Sequence, residues 1–480
     1  MNYYIGLDVG TSSVKAMLVS DSEIIKVASR DYPLYFPKPG YSEQNPEDWY
    51  NGSIAAIKEI TGGIDKSAVK AISFSGQMHG LVMLDENDRV IRNAILWNDG
   101  RSEKEVAYLN GEKGRDFLLD NTGNIAFAGF TAPKLMWVYN NEPECFARIA
   151  KIMLPKDYVA YRLSGVFATD TSDAAGTLYF DTANRCWSKP MLDLLHIDES
   201  KLPRVLESYE ASGTLKSEIA AELGLGTDVK IVIGAGDNAA SAIGTGAVND
   251  GDCNISLGTS GTVFVCTEKF NCDRVNAIHS FCSANGRYHY LACTLTAASC
   301  QKWLVEDILK TDYSHSVSEY IGKSDVLFLP YLMGERSPVN DTSVRGMFCG
   351  LSMNTSREEM LLAVLEGVAF SIKQNIEIIK SLGVDIHKSK ICGGGAKNRE
   401  WVQLMATVLD LDIELPVLEH GGVLGACILA AKGCGSDIAG NFYGVKCTVS
   451  PEKDLVEYYN DKYSKYLMLY PMARNLAKEN

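Results

Sequence analysis

The sequence predicts an α/β fold of two duplicated lobes, and three observations carry that prediction. A strand, a Gly-Thr-Ser turn and a second strand occur twice, about half a chain apart: Leu7-Asp8-Val9-Gly10-Thr11-Ser12-Ser13-Val14 and Ile255-Ser256-Leu257-Gly258-Thr259-Ser260-Gly261-Thr262. After each copy, short apolar runs alternate with stretches of helical periodicity, the mark of mixed sheets covered by helices. The chain has 480 residues, too many for one hydrophobic core, so two domains are expected, 1–243 and 244–480.

The first copy opens as three strands, residues 3–8, 14–19 and 24–29, with turns at Gly10-Thr11-Ser12-Ser13 and Asp21-Ser22. Asn45 precedes Pro46 and two acids, a helix start, and Trp49, Ile54, Ile57 and Ile60 give that helix an apolar stripe. Residues 69–75 and 230–233 read as apolar strands. In the second copy Val263-Phe264-Val265 continues the hairpin much as Ala16-Met17-Leu18-Val19 continues the first. Residues 326–330 form a strand, and Ser356-x-x-Glu359 is a capping box opening a helix to about Ile379. Lys390-Ile391-Cys392 ends a strand before Gly393-Gly394-Gly395, which opens a helix. A helix over 401–409, a strand over 413–415 and a small-residue helix over 423–431 follow. The tail, 450–480, is expected to fold as a helix packed back on the body.

Composition narrows the function. A net charge of −14 repels nucleic acid and anionic membrane, which leaves a small-molecule partner reached through a local pocket. Residues 1–10 lack a basic start and carry Asp8 within the first apolar run, so they suit a buried strand and not a signal peptide. No apolar run nears the ~18 residues of a membrane span. The thirteen cysteines are scattered and never form Cys-x-x-Cys, so they are expected to be small buried hydrophobes in a reducing cytoplasm. The seven histidines show no metal-ligand spacing.

Several segments carry chemistry. A glycine turn between strands points consecutive amides one way, a concavity that suits phosphate oxygens, and the Thr11, Ser12 and Thr259 hydroxyls add donors beside Gly258. A single such turn is also an ordinary hairpin. Asp8, an acid in an apolar strand just before that turn, suits Mg²⁺ or its bound water; the other reading is a hydrogen-bonded strand end. Asp237 stands among small residues at a strand's carboxyl end, where α/β sheets bind ligands, and spacing alone equally allows a helix N-cap. Gly393-Gly394-Gly395 admits a nucleotide against the backbone or is a plain loop. Gly322-Lys323-Ser324 lacks the earlier glycine of a P-loop, and Gly234-x-Gly236 lacks its third glycine. Gly76-Gln77-Met78-His79-Gly80 places an amide, a thioether and an imidazole at one strand end, and Trp97-Asn98-Asp99-Gly100-Arg101 adds an aromatic face of the kind that stacks on sugars.

Together these segments resemble the FGGY carbohydrate kinases over most of the chain. Gly129-Phe130-Thr131-Ala132-Pro133-Lys134-Leu135-Met136-Trp137-Val138 is similar to the first family signature. Gly346-x-Phe348-x-Gly350-Leu351 followed by Glu359-Met360-x-x-Ala363-Val364-Leu365-Glu366 is similar to the second. The Gln77–His79 and Trp97–Arg101 segments, Leu154-Pro155-Lys156-Asp157-Tyr158, Ser172-Asp173-Ala174-Ala175-Gly176 and Gly334-Glu335-Arg336 point to the branch whose acceptor is the ketopentose D-xylulose. The resemblance implies a two-lobed actin/Hsp70-like (ribonuclease H-like) ATPase fold with a central cleft, the sugar on the first lobe and the nucleotide on the second. It implies transfer of phosphate from ATP with Mg²⁺, feeding xylose catabolism into the pentose phosphate pathway. Asp237 then matches the general base and Asp8 the acid near the metal. Met78, His79, Trp97, Asp237 and Asn238 match the sugar site. Thr11, Ser12, Lys15, Gly258 and Thr259 fall at the phosphates, and Gly394, Gly395 and Asn398 at the nucleotide. A homodimer is expected from similar kinases. Other acceptors (sedoheptulose, ribulose), a silent sugar sensor and an ATP-driven chaperone or filament protein on the same fold are the rival readings.

Overall fold

The computed structural model describes residues 2–418 and 420–477; Met1 and the last three residues of the predicted tail lie outside them. Alternating apolar residues at the start give three antiparallel strands, β1 (Tyr3–Val9), β2 (Ser13–Val19) and β3 (Ile24–Asp31). β4 (Val69–Gly76) lies parallel to β1, β5 (Ala211–Thr214) and β6 (Lys230–Val232) follow outward, and the short β7 (Ala235–Gly236) also pairs with β4. The sheet order is β5-β6-β4-β1-β2-β3.

The second half builds β8 (Cys253–Leu257), β9 (Gly261–Thr267), β10 (His279–Cys282), β11 (Tyr288–Thr294), β12 (Lys388–Cys392), β13 (Asp412–Pro416) and β14 (Val445–Val449). Their order is β10-β11-β9-β8-β12-β13-β14. In each sheet the first hairpin strand gains a parallel neighbour from later in the chain, β4 beside β1 and β12 beside β8. The internal echo of the sequence is thus a repeated strand order. One position breaks the symmetry: Asp8 of β1 is matched by Ser256 of β8, so only the first copy carries the acid.

The helices follow their local signals. α1 (Pro46–Ile60) is capped by Asn45, whose side chain accepts from the Glu47 amide at 3.2 Å. α2 (Thr131–Asn141), α3 (Pro155–Ser164), α4 (Thr171–Ala175) and α5 (Asp237–Thr245) are the first-half helices that bear on the site. α6 (Arg357–Ser381) opens on the predicted capping box, Ser356 with Glu359. After it come α7 (Arg399–Leu409), α8 (Gly421–Gly433), α9 (Lys453–Tyr466) and α10 (Leu469–Ala477). The tail does pack back: Tyr459 and Lys462 donate to Glu366 of α6 at 3.1 and 2.6 Å. That signature glutamate is therefore a buried anchor.

α8 belongs to the second half yet covers the first sheet, packing on β1, β4 and α5. The contact is backbone on backbone. A Cβ on Gly425 would stand 1.8 Å from the Ala240 carbonyl oxygen, and one on Gly244 would stand 2.0 Å from that of Gly421. Neither helix can retreat from a packed core without opening voids. Gly425→Ala is expected to destabilise the fold by at least about 2 kcal/mol, seen as an earlier urea midpoint; an unchanged midpoint would mean the helices separate freely.

The cysteine expectation holds in part. All thirteen are thiols, but only five are buried, six are half-buried, and Cys186 and Cys349 are exposed. No helix among the described residues is long and apolar enough to cross a membrane.

Candidate active site

Both Gly-Thr-Ser turns have the same polar economy. In the first, side chains behind the turn occupy its carbonyls: Gln44 Nε2 donates to Thr11 O at 2.6 Å, and Gln77 Nε2 and the Tyr32 hydroxyl donate to Gly10 O. In the second, the amides of Ala297 and Ser299 donate to Thr259 O and that of Ala298 to Gly258 O, at 2.9 to 3.3 Å. The amides of Thr11, Ser12, Thr259 and Ser260 donate to nothing among the described residues. Carbonyls held back and amides left forward make an anion-binding surface at each turn.

Asp8 sits one residue before the end of β1, opposite Lys15 of β2, and accepts from the Ser75 hydroxyl at 2.8 Å. Asp8, Lys15, Ser241, His420 and Gly422 line a cavity of about 190 Å³ where α8 meets the first sheet. Burial raises the Asp8 carboxyl above its ordinary range, against the Ser75 hydrogen bond and the Lys15 charge. Facing it electrostatically is Asp237, which settles the open point of the sequence: Gly236 is the N-cap and Asp237 the first residue of α5. Burial first, and then the Asp8 charge, push Asp237 up to about 7. The Asn238 amide and side chain both donate to Asp237 Oδ1, at 2.7 and 2.8 Å, and Oδ2 accepts from no group among the described residues. A carboxylate with one oxygen pinned, the other open and a pKa near neutrality is poised as a general base.

The end of β4 leads into Met78, which is buried, and His79, held in the left-handed region at φ 69°. His79 Nδ1 lies 2.7 Å from the Gly176 carbonyl, so it carries the proton and Nε2 is left as an acceptor. Burial, with the Lys134 and Arg336 charges, keeps the ring neutral by holding it well below its ordinary range. A Cβ on Gly176 would fall 2.7 Å from that ring and 2.9 Å from Met78 Cε, and one on Gly236 would fall 2.8 Å from Met78 Cγ. The strand end, Gly176 and the Asp237 turn therefore meet at one place. Trp97 is 44% exposed, leaving a ring face open, while its Nε1 donates to Thr11 Oγ1 at 2.9 Å. One hydrogen bond thus joins the sugar-type tryptophan to the first phosphate-type turn.

Behind Asp237 lies a cluster that sequence spacing did not reveal. The buried Lys156 ammonium stands 2.6 Å from Asp157, 2.8 Å from Asp170 and 3.6 Å from Asp173. Asp170 Oδ2 accepts from the Ser172 and Ser208 hydroxyls at 2.5 and 2.7 Å, and Ser172 Oγ accepts from the Gly236 amide at 3.1 Å. The chain of bonds ends on the residue that caps Asp237's helix. Two of the quoted motifs, Leu154–Tyr158 and Ser172–Gly176, supply Lys156, Asp157, Ser172 and Asp173; Asp170 and Ser208 lie outside them, and only folding joins the set. Ser172→Ala should slow turnover roughly tenfold, the worth of one positioning hydrogen bond to a buried group, with the sugar KM unchanged. A raised KM with normal kcat would count against this role.

The second turn opens into a larger cleft of about 1000 Å³, lined among others by Gly258, Thr259, Ser299, Gly394, Gly395 and Asn398. The triple glycine opens a 3-10 turn, Gly394–Lys397, and not the helix itself, which starts at Arg399 with Asn398 as its cap. Asn398 Oδ1 accepts from the Trp401 amide at 3.2 Å, leaving its NH₂ for the cleft. A Cβ at Gly394 would meet open space, whereas at Gly395 it would press on Trp401 and Leu257. Of the eight residues predicted for the phosphates and the nucleotide, Gly258, Thr259, Gly394, Gly395 and Asn398 share this one cleft; Lys15 lies instead at the Asp8 cavity, and Thr11 and Ser12 line neither.

The chain is similar to known proteins over most of its length. The FGGY family of carbohydrate kinases matches through its N-terminal domain over residues 3–244 and its C-terminal domain over 253–434. The xylulose kinase of Staphylococcus xylosus is 38% identical over 442 residues, 90% of this chain and 91% of that protein. A crystal structure of a xyloylose kinase from Brucella ovis is 40% identical with a TM-score of 0.94, covering 99% of this chain and all of that one. The ligand-bound xylulose kinase of Lactobacillus acidophilus, 26% identical, has a TM-score of 0.92 and covers 98% of each chain. The two-lobed actin/Hsp70-like fold class expected from the sequence holds.

Proposed function

The chain belongs to the FGGY family of carbohydrate kinases, and on that premise we infer that its acceptor is D-xylulose. It transfers the terminal phosphoryl group of ATP to that ketopentose, giving D-xylulose 5-phosphate. The observation carrying the mechanism is Asp237, with one free carboxylate oxygen and a pKa near 7, beside the Met78–His79 strand end. Asp237 Oδ2 accepts the proton of the terminal hydroxyl as it attacks, since a neutral alcohol is a poor nucleophile. Phosphoryl transfer otherwise asks for alignment and neutralised charge. The forward amides at Thr11, Ser12, Thr259 and Ser260 provide both along the phosphates.

The oxygen donors of Asp8 suit Mg²⁺, which keeps several waters and binds through one or two carboxylates. When bound, Mg²⁺ supplies charge neutralisation on the transferring group. The division of labour follows the halves: residues 1–243 furnish the sugar end and 244–480 the nucleotide cleft, with α8 crossing between them. Cytoplasmic residence is supported by the thirteen thiols, which a reducing compartment preserves. Pairing into a homodimer is the reading that light scattering at assay concentration tests.

ADP release with Mg-ATP, measured against a panel of free sugars and a no-sugar control, tests the reaction. Strong stimulation by D-xylulose and weak response to other ketoses is expected. Stimulation by another sugar would replace the acceptor; equal release with and without every sugar would overturn the kinase reading.

A further inference from the structure

The segment Gly334-Glu335-Arg336 has no part in the reaction described so far. Glu335 is fully buried and fixes the segment to the end of β11: it accepts from the Leu295 amide at 2.9 Å, the Arg336 amide at 2.7 Å and the Thr294 hydroxyl at 2.5 Å. The Ser337 amide donates to the Cys293 carbonyl at 2.9 Å, and Ser337 Oγ accepts from the Cys293 amide at 3.1 Å. Arg336 is thus projected from a rigid base in the second half of the chain.

Its guanidinium reaches the first half. It lies 4.6 Å from the centroid of Phe127 and 5.7 Å from that of Phe130, whose ring is 4.7 Å from His79. The charges of Arg336 and Asp237 both act on Cys293, the residue whose backbone holds Ser337. No carboxylate lies within 4 Å of the guanidinium among the described residues, no side-chain atom of it makes a hydrogen bond there, and its Nε is buried. The titratable side chains its charge acts on are His79, His279, Lys134 and the Cys293 thiol, none of them an anion, and the adjacent Glu335 spends its carboxyl on Leu295, Thr294 and the Arg336 amide.

A permanently charged fork without a partner in a half-buried setting is expensive unless a ligand completes it. The Phe127 and Phe130 rings lie within cation–π reach of it and leave its hydrogen-bond donors uncommitted. We propose that Arg336 binds the sugar, donating hydrogen bonds to the carbonyl end of the ketose, the end remote from the hydroxyl that faces Asp237. This rests on the sugar-kinase reading and deepens it. An arginine from the second half would then sense sugar held by the first, so that binding the correct acceptor draws the halves together. It also assigns specificity: a ketose carbonyl presents both lone pairs in one plane to the flat fork, whereas the tetrahedral hydroxyl of a reduced sugar splays its lone pairs out of that plane and brings a proton of its own.

The test compares Arg336→Gln with the wild type on D-xylulose and on the two pentitols made by reducing it, as substrates and as competitive inhibitors. Loss of one charged hydrogen-bond set predicts that kcat/KM for D-xylulose falls roughly 10- to 100-fold, chiefly through KM. The pentitol constants should change less than about threefold by the same measure. Arg336→Lys should restore part of the ketose affinity. Thermal midpoints and sugar-independent ATP hydrolysis of both variants report whether the fold is intact. Equal losses on ketose and pentitols, or an unchanged D-xylulose KM in Arg336→Gln, would overturn the proposal. A wild type inert toward D-xylulose would instead fault the acceptor assignment on which it rests.

Discussion

Asp237→Asn is expected to lower kcat by at least about 10³-fold while the D-xylulose dissociation constant stays within about tenfold. The amide keeps the shape and the Asn238 contacts at Oδ1 but cannot take a proton from the sugar. Wild-type kcat/KM should also rise with pH through a limb near 7, because burial and the Asp8 charge keep Asp237 protonated below that point. The same linkage runs through stability. A carboxyl raised from its ordinary 3.8 to about 7 favours the fold fully below pH 3.8, and that contribution is lost as pH rises through 7. Asp237→Asn should therefore melt like the wild type near pH 3.8, and progressively higher than it as pH rises through 7. Loss of sugar binding with normal turnover at saturation would remove Asp237 from the role of base.

Asp8→Asn should cost about 10²–10³-fold in kcat, the usual worth of a charge aimed at the reacting centre. Its effect on pH is more telling. Asp8 is the second cause of the raised Asp237 pKa, so its neutralisation should move the acid limb of the residual activity to lower pH. A limb that stays put, measured over pH 5 to about 9, would mean the two carboxylates do not share one site. Ser256, at the matching place in the second hairpin, offers a control: Ser256→Ala should leave the limb in place.

Much of this was legible in the sequence, for reasons that can be named. The hairpin strands, the Asn45 cap and the Ser356 capping box are local signals, and each stands within a residue or two of its expected place. Whether Asp237 capped its helix was not legible, because Gly236 caps by backbone conformation and carries no side-chain signature. The triple glycine misled for a related reason: the turn it forms is set by Gly393 at φ 93°, and the helix waits for Asn398. Lys156, Asp170, Ser172 and Gly236 converge from separated segments, as do Arg336 and Phe130, and no period along the chain encodes such meetings. The small residues of α8 read simply as a helix; their use became visible only against Gly244 and Ala240.

That helix also decides when the molecule can finish folding. Tyr4, Met17, Val19, Ala71 and Val232 of the first sheet are covered by Val423, Leu424, Cys427 and Ile428 of α8. A chain leaving the ribosome makes the sheet first and its cover almost last. At about 5–20 residues per second, the stretch from α5 to the end of α8 takes on the order of ten to forty seconds. For that interval an apolar sheet face has no partner within its own chain, a state open to aggregation or to capture by a chaperone. The nascent N-terminal half is therefore not a free-standing unit, and a message truncated before Gly421 should yield insoluble protein, however complete its sugar-binding residues are.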